Sequence, residues 1–120
     1  MLSLPRSVKV FLATTRIDMR CGHDGLCAIV RNQWQLDPFA DGVFVFVGKR
    51  GDRIKYIYWA RGGFVLVYKR LERGRFKVPR VDSTATRIEI DAVQLSMLLD
   101  GIDFGRIRRP DLWTPPTKNS

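Results

Sequence analysis

Residues 43–71 read VFVFVGKRGDRIKYIYWARGGFVLVYKRL. Three runs with the composition of β-strands, residues 43–47, 53–59 and 64–71, are separated by two short segments that contain glycine. Glycine tolerates the positive φ angles of tight turns, and strands joined by such turns pair side by side in opposite directions. This stretch therefore predicts a three-stranded antiparallel meander.

The residues before the meander predict one more strand and a helix. Residues 8–13 alternate and are rich in β-branched side chains, which favours a strand, and residues 14–22 are polar and irregular. Residues 24–34 predict an amphipathic helix, and Asp37-Pro38 and Asp41-Gly42 indicate the loop that follows it. The apolar stripe of that helix consists of Leu26, Ile29, Val30 and Trp34.

The residues after the meander predict two short strands and a second helix. Residues 76–78 are consistent with an edge strand that Pro79 ends, and residues 87–90 with another strand. Asp91 is placed to cap the helix, with Gln94 closing a capping box and Gly101 in the position after the last turn. Its apolar stripe is Leu95, Leu98, Leu99 and Ile102.

These elements together predict the α+β class: an antiparallel β-meander of three to five strands packed against two helices. A chain of 120 residues has room for one ordinary core, so we expect a single domain over residues 1–113 and a disordered tail over 114–120. No apolar run approaches the ~20 residues that span a bilayer, and no signal peptide is recognisable. We expect a cytoplasmic protein with no membrane partner, in which Cys21 and Cys27 stay reduced.

The charge of the chain is concentrated in its middle third. The whole chain has a formal net charge of +9. Residues 42–80 contain 11 basic and 2 acidic residues, a net charge of +9, while the flanking thirds nearly balance. A docking surface for a polyanion concentrates charge in this way, so nucleic acid is the favoured partner. A solvated basic face and an acidic protein partner remain alternatives.

The basic residues of the meander form two clusters that are expected to meet, because the end of its third strand returns near the start of its second. We expect these residues to bind phosphates, and the side chains of Arg53, Lys55, Arg73 and Arg75 to be largely exposed. The predicted nucleic-acid-binding residues are Lys49, Arg50, Arg53, Lys55, Lys69, Arg70, Arg73, Arg75 and Lys77. Aromatic residues interleave with them and could stack on unpaired bases, although strand aromatics more often belong to the core; they are Tyr56, Tyr58, Trp59, Phe64 and Tyr68.

No coherent catalytic or metal-binding pattern stands beside this basic surface. His23 is the chain's one histidine, and its spacing from Cys21 and Cys27 is not that of a structural zinc site. We therefore predict no catalytic residue, no metal ligand and no cofactor. A weak metal-dependent nuclease using carboxylates such as Asp18, Asp24 or Asp52 stays a minor alternative.

The order of motifs from about residue 5 to residue 104 resembles a known family. The matching stretches are Phe11-Leu12-Ala13-Thr14, Ile17-Asp18-Met19-Arg20, Asp24-Gly25-Leu26, Asp37-Pro38-Phe39, Val43-Phe44-Val45-Phe46, Lys49-Arg50-Gly51-Asp52-Arg53-Ile54-Lys55, Lys69-Arg70-Leu71-Glu72-Arg73-Gly74-Arg75-Phe76, Gln94-Leu95 and Leu98-Leu99-Asp100-Gly101-Ile102-Asp103. The family is that of the small TnpB accessory proteins, the second open reading frame products, of IS-sixty-six-type bacterial insertion sequences. The chain departs from the expected family pattern at Cys21, His23, Ala60 and Phe104.

The resemblance implies an accessory role in transposition, beside a larger transposase encoded by the same element. It implies no catalytic residues, since none are established for the family. Two hypotheses follow. The protein binds DNA at element ends or at the target, mainly through phosphates, or it is an adaptor that docks its basic face on the transposase without touching DNA. The oligomeric state is not predicted.

Overall fold

The computed structural model of the protein describes residues 7–40, 42–81 and 84–106. The predicted tail over 114–120 and the end of the predicted domain lie outside these residues. Within them the elements follow the order β1 (Lys9–Ala13), α1 (His23–Ala28), β2 (Gly42–Val47), β3 (Arg53–Ala60), β4 (Gly63–Arg70), β5 (Arg87–Ile90) and α2 (Ala92–Leu99). A π-helical segment, Ile29–Gln33, continues α1, and a 3₁₀ turn, Phe104–Arg106, follows α2.

The strands form one five-stranded sheet in the order β4-β3-β2-β1-β5. β2, β3 and β4 pair antiparallel as consecutive neighbours, which confirms the predicted meander and the α+β class. β3 and β4 are joined by Arg61 and Gly62, both at positive φ (43° and 86°), with Ala60 opposite Gly63. Positive φ at both central residues is the requirement of the type I′ hairpin turn, whose twist matches that of paired strands.

The sheet is mixed, because β1 lies parallel to β2, with Phe11 opposite Phe44. The direction in which β1 pairs with the meander was not predicted from the sequence. Parallel neighbours need a crossover connection of a dozen or more residues, usually helical, and the segment containing α1 supplies it. β5 then pairs antiparallel with the other side of β1.

Both faces of the central strand β2 are buried. Val43, Val45 and Val47 belong to the core beneath α2, and Phe44 and Phe46 belong to the core beneath α1. Successive side chains of a strand point to opposite faces, so a strand covered on both sides has an uninterrupted apolar sequence. Thus the run at residues 43–47 reflects a sheet held between two helical layers.

The predicted helix over residues 24–34 is an α-helix that widens into a π-helix. The N–H of Trp34 bonds to the carbonyl of Ile29, five residues earlier, at 3.1 Å. Leu26, Val30 and Trp34 are buried at intervals of four residues, a spacing that suits the wider turn. Ile29, predicted on the same stripe, is only half-buried.

The helix α2 has both predicted caps. Asp91 accepts a hydrogen bond from the N–H of Gln94, whose side chain accepts one from the N–H of Asp91. Gly101 has φ of +76°, its N–H bonds to Leu98, and the N–H of Ile102 bonds to Met97. This pattern is the Schellman motif, which ends the helix. Ile102 therefore lies beyond the helix and is 44% exposed, so its place in the apolar stripe was wrong.

Residues 76–78 do not form the predicted edge strand. Phe76 is buried in the α2-side core, and its N–H donates to the carbonyl of Gly51 at 2.8 Å. This segment therefore packs against the β2–β3 turn instead of extending the sheet. Among the described residues, no helix is long and apolar enough to cross a membrane.

Candidate nucleic-acid interface

The turn between β2 and β3 and the turn after β4 lie against each other at one end of the sheet. Arg53 and Arg70 are direct partners in the β3–β4 register. The N–H of Leu71 donates to the carbonyl of Asp52 at 2.8 Å, one residue from the bond that Phe76 makes to Gly51. The two basic segments, distant in sequence, are thus brought together by the hairpin and by main-chain hydrogen bonds.

A cleft of about 560 Å³ opens beside this junction, and we call it the basic cleft. Its walls are the loop before α1, the β2–β3 turn and the adjacent ends of β3 and β4. Five cationic and two acidic side chains line it. The lining residues are Ile17, Asp18, Met19, Arg20, Gly48, Lys49, Arg50, Asp52, Arg53, Lys55 and Tyr68.

Lys55 fastens one wall of the basic cleft. Its ammonium group donates to the carbonyl oxygens of Met19 at 2.7 Å and of Cys21 at 3.0 Å, and the side chain is half-buried. The expectation that Lys55 is largely exposed was wrong, because the loop before α1 folds over β3 and uses two of its three donors. The ammonium charge of Lys55 lies in the cleft, but the group is used to hold the loop before α1 on β3.

Asp18 does not leave a free negative charge in the cleft. Both of its carboxylate oxygens accept hydrogen bonds from Arg20, the shortest at 2.7 Å. The Arg20 guanidinium holds the pKa of Asp18 well below its usual range, so the pair is fully ionised at neutral pH. Arg20 itself has 91% of its side chain exposed at the rim.

Arg53 was also expected to be largely exposed, but it is half-buried. Its Nε lies 3.9 Å from Asp52 Oδ1, beyond hydrogen-bonding distance, and both atoms are buried without another hydrogen-bond partner in the described part of the chain. A buried polar group without a partner is unfavourable by about 1–3 kcal/mol. A small adjustment of either side chain, or an anion at the guanidinium, would satisfy Arg53.

The other predicted basic residues lie in three places. Lys49 and Arg50 are exposed on the β2–β3 turn at the cleft. Lys69 lies on the opposite face of the sheet, where its ammonium donates to the carbonyl of Leu99 at the end of α2, at 2.6 Å. Outside the cleft but at the same end of the sheet, the exposed residues are Arg70, paired with Glu72 at 3.1 Å, Arg73, Arg75 and Lys77.

The predicted aromatic residues divide between the core and the surface. Tyr56 is 4% exposed and belongs to the core beneath α2, whereas Trp59 is 38% and Tyr68 49% exposed. Trp59 lies within 5.0 Å, centroid to centroid, of both Phe39 and Phe64. Leu66, on the same side of β4, is 40% exposed. We call the surface formed by Trp59, Phe64, Leu66, Tyr68 and the adjacent Phe39 the aromatic face.

The cysteine and histidine residues have the contacts of a packed helix rather than of a nucleophilic site. Cys27 Sγ lies 3.7 Å from His23 Nε2, and His23 Nδ1 lies 2.9 Å from Asp24 Oδ1. Burial raises the pKa of the Cys27 thiol, the opposite of the shift that a reactive thiolate needs. No group of three or more potential metal-ligating residues occurs in the parts of the chain that the structure covers.

The profile of the family described as IS66 Orf2 like protein matches residues 8–109. The chain belongs to the IS66 Orf2-like family. The family places it among the accessory proteins of insertion sequences.

Two relatives of the IS66 Orf2-like chain come from Sinorhizobium fredii. The uncharacterized protein y4hO is 41% identical over 118 residues, 98% of each chain. The uncharacterized protein y4jC is 35% identical over 115 residues, 96% of this chain and 97% of the relative. No solved structure has a significant match.

Two features of this IS66 Orf2-like site were missed in the sequence. Arg20 was overlooked because it lies in the charge-balanced first third, although the stretch Ile17-Asp18-Met19-Arg20 carries the family resemblance. Phe39 was overlooked because a residue next to Asp37-Pro38 was assigned to a loop. Both reach the site through packing of the loops around α1 on the β3–β4 hairpin.

Proposed function

We propose that the protein is a non-catalytic DNA-binding accessory of insertion-sequence transposition, acting in the cytoplasm. The supporting observation is the basic cleft, where five cations surround a groove with two carboxylates, one of them neutralised by Arg20. DNA phosphates are contacted through the cleft and the exposed Lys49 and Arg50. Arg73, Arg75 and Lys77 extend the contact beyond it.

Binding of this kind is weakly specific for sequence. Contacts to phosphate set position and affinity, while sequence is read from base edges in the grooves. Arginine and lysine on a turn present their donors to any duplex. The partners are therefore DNA at element ends or at the target, together with the transposase of the same element.

A second candidate is an adaptor that docks on the transposase without touching DNA. The supporting observation is the aromatic face together with the outer edge of β4, which lies at the end of the sheet order. Exposed apolar patches and sheet edges are typical of protein interfaces. An adaptor that uses the aromatic face, and not the basic face predicted from the sequence, differs in its surface from the DNA-binding proposal, so variants of the two surfaces separate them.

The DNA-binding proposal is tested by reversing charge at the cleft rim. Lys49→Glu with Arg50→Glu is compared with Lys9→Glu with Arg61→Glu, which makes the same charge change at exposed residues of the opposite end of the sheet. Each lost phosphate contact reduces the slope of log K against log salt concentration by about 1. The slope for the Lys49/Arg50 variant should therefore be smaller in magnitude by about 2, and this variant should bind duplex DNA more weakly. Equal weakening of duplex binding in both variants would contradict a DNA-binding site at the basic cleft.

The adaptor candidate is tested by pull-down of the transposase before and after nuclease treatment. The DNA-binding proposal expects an association that nuclease abolishes or weakens. If the association with the transposase survives nuclease treatment and the unmodified protein does not bind duplex DNA, the adaptor candidate is favoured. Cleavage of DNA in Mg²⁺ or Mn²⁺ that is lost with Asp18→Asn or Asp52→Asn would contradict the non-catalytic assignment.

A further inference from the structure

We infer that the aromatic face binds unpaired bases, so that the DNA ligand includes a single-stranded segment running from the basic cleft along β4. This inference rests on the proposed function and names the form of DNA that the same site accepts. The β3–β4 register places Tyr68 opposite Lys55 and Phe64 opposite Trp59, all on one face of the sheet.

The face has an order that suits a nucleotide chain. Along β4 the side chains on this face are Phe64, Leu66, Tyr68 and Arg70, so aromatic and apolar groups give way to a cation at the cleft end. Alternate residues of a strand are about 7 Å apart. Trp59 and Tyr68 are thus separated by roughly 14 Å, the length of about four stacked nucleotides at most.

Trp59 keeps part of its indole open to solvent, with 38% of the residue exposed. Phe39 and Phe64 meet the indole at interplanar angles of 67° and 73°, so neither lies parallel to it. They hold the ring by edge contacts, which limits its rotamers before a ligand arrives. Several large apolar side chains are partly exposed on one face, and an exposed apolar patch of this kind is typical of an interface.

The charges beside the rings favour a polyanion over an apolar protein surface. Neither β3 nor β4 contains an acidic residue, and Arg53, Lys55 and Arg70 lie on the aromatic side of the sheet. A basic groove that follows the phosphates, with aromatic side chains for successive bases, is the general arrangement of single-strand binding surfaces. An apolar partner needs the rings but not the cations.

The test compares labelled oligonucleotides of one length by fluorescence anisotropy: a thymine strand, an abasic strand with the same phosphates, a duplex, and the corresponding RNA strand. The thymine strand should bind at least about fivefold more tightly than the abasic strand, since stacking contributes about that much or more per base. Trp59→Leu, outside the lining of the basic cleft, should lower the ratio without changing duplex binding. Val93→Ala, which shortens an exposed apolar side chain on α2, is the control and should change neither.

A second measurement does not depend on a variant of the aromatic face. With Trp113→Phe, the indoles are Trp59 and Trp34, and Trp34 is 3% exposed. The thymine strand should quench the fluorescence and the abasic strand should not. Equal binding and equal quenching by the two strands would overturn this inference but leave the proposed function standing, whereas no binding to any DNA would remove both.

Two further outcomes would also overturn the inference. Tighter binding of the RNA strand than of the DNA strand would assign the face to RNA. Loss of transposase association in Trp59→Leu, with all four oligonucleotides bound as before, would assign it to a protein.

Discussion

Lys55 Nζ lies 2.7 Å from the carbonyl oxygen of Met19 and donates a hydrogen bond to it, joining β3 to a loop 36 residues earlier in the chain. A second bond reaches Cys21 in the same loop. We expect Lys55→Met to lower the free energy of unfolding by about 1–2 kcal/mol, because two partly buried carbonyls lose their donor. Urea denaturation measures this difference.

The matched control for Lys55 is Lys49→Met. It removes the same charge from an exposed side chain of the same cleft and should change stability by less than about 0.5 kcal/mol. Equal stability of the two variants would show that the bonds to Met19 and Cys21 do not hold the loop. A loss of DNA binding in Lys55 variants therefore requires a stability measurement before it is assigned to phosphate contact.

The cap of α2 makes a separate prediction. Asp91→Ala should destabilise the protein by about 1 kcal/mol, because the N–H of Gln94 loses its acceptor. Asp100→Ala, at the other end of the same helix, should be neutral or slightly stabilising, since a negative charge there opposes the helix dipole. Thermal unfolding of both variants tests the pair, and a larger loss for Asp100→Ala would contradict it.

Gly101 is required by its backbone conformation and not by space. A Cβ there would meet Leu71 Cδ1 at 3.9 Å, an ordinary contact, but φ is +76°. Gly101→Ala should therefore be destabilised by about 1 kcal/mol in chemical denaturation. Gly63→Ala, where φ is not positive and nothing lies within 4 Å, should lose no stability, and a comparable loss there would argue against the backbone explanation.

The ion pair of Asp18 and Arg20 predicts a pH effect with a definite sign. Arg20→Gln should raise the pKa of Asp18 toward its ordinary value, because hydrogen bonds from Arg20 are the main cause of the lowered pKa. A lowered Asp18 pKa stabilises the folded state at pH values above the ordinary Asp pKa of ~3.9. This contribution disappears as the pH falls through the pKa that Asp18 has in the folded state. Carboxyl NMR titration of Arg20→Gln, with Arg16→Gln as control, tests this; an unchanged Asp18 pKa would contradict it.

The meander and α2 could be predicted because their signals are local. Glycine turns between the alternating runs and the Asp91, Gln94 and Gly101 caps act within a few residues of each other. The parallel pairing of β1 with β2 could not be predicted, since nothing in either strand distinguishes the direction of its neighbour. It depends on the path of the chain through α1.

The site was less predictable than the fold, because its residues come from distant segments. The concentration of charge in residues 42–80 indicated the end of the sheet at which the basic cleft lies. It could not show that Lys55 and Lys69, similar in sequence, donate to main-chain carbonyls on opposite faces. Nor could it show Arg20 at the cleft, since that placement depends on how the loop before α1 folds over β3.

The most direct test of the central claim is the salt dependence of duplex DNA binding by the unmodified protein. If the basic cleft and turns neutralise about 4–6 phosphates, log K should fall against log salt concentration with a slope of about −3 to −5. Anisotropy titrations from low to physiological salt measure it. Affinity that stays flat over this range, or no measurable binding at low salt, would contradict a protein that holds DNA by its phosphates.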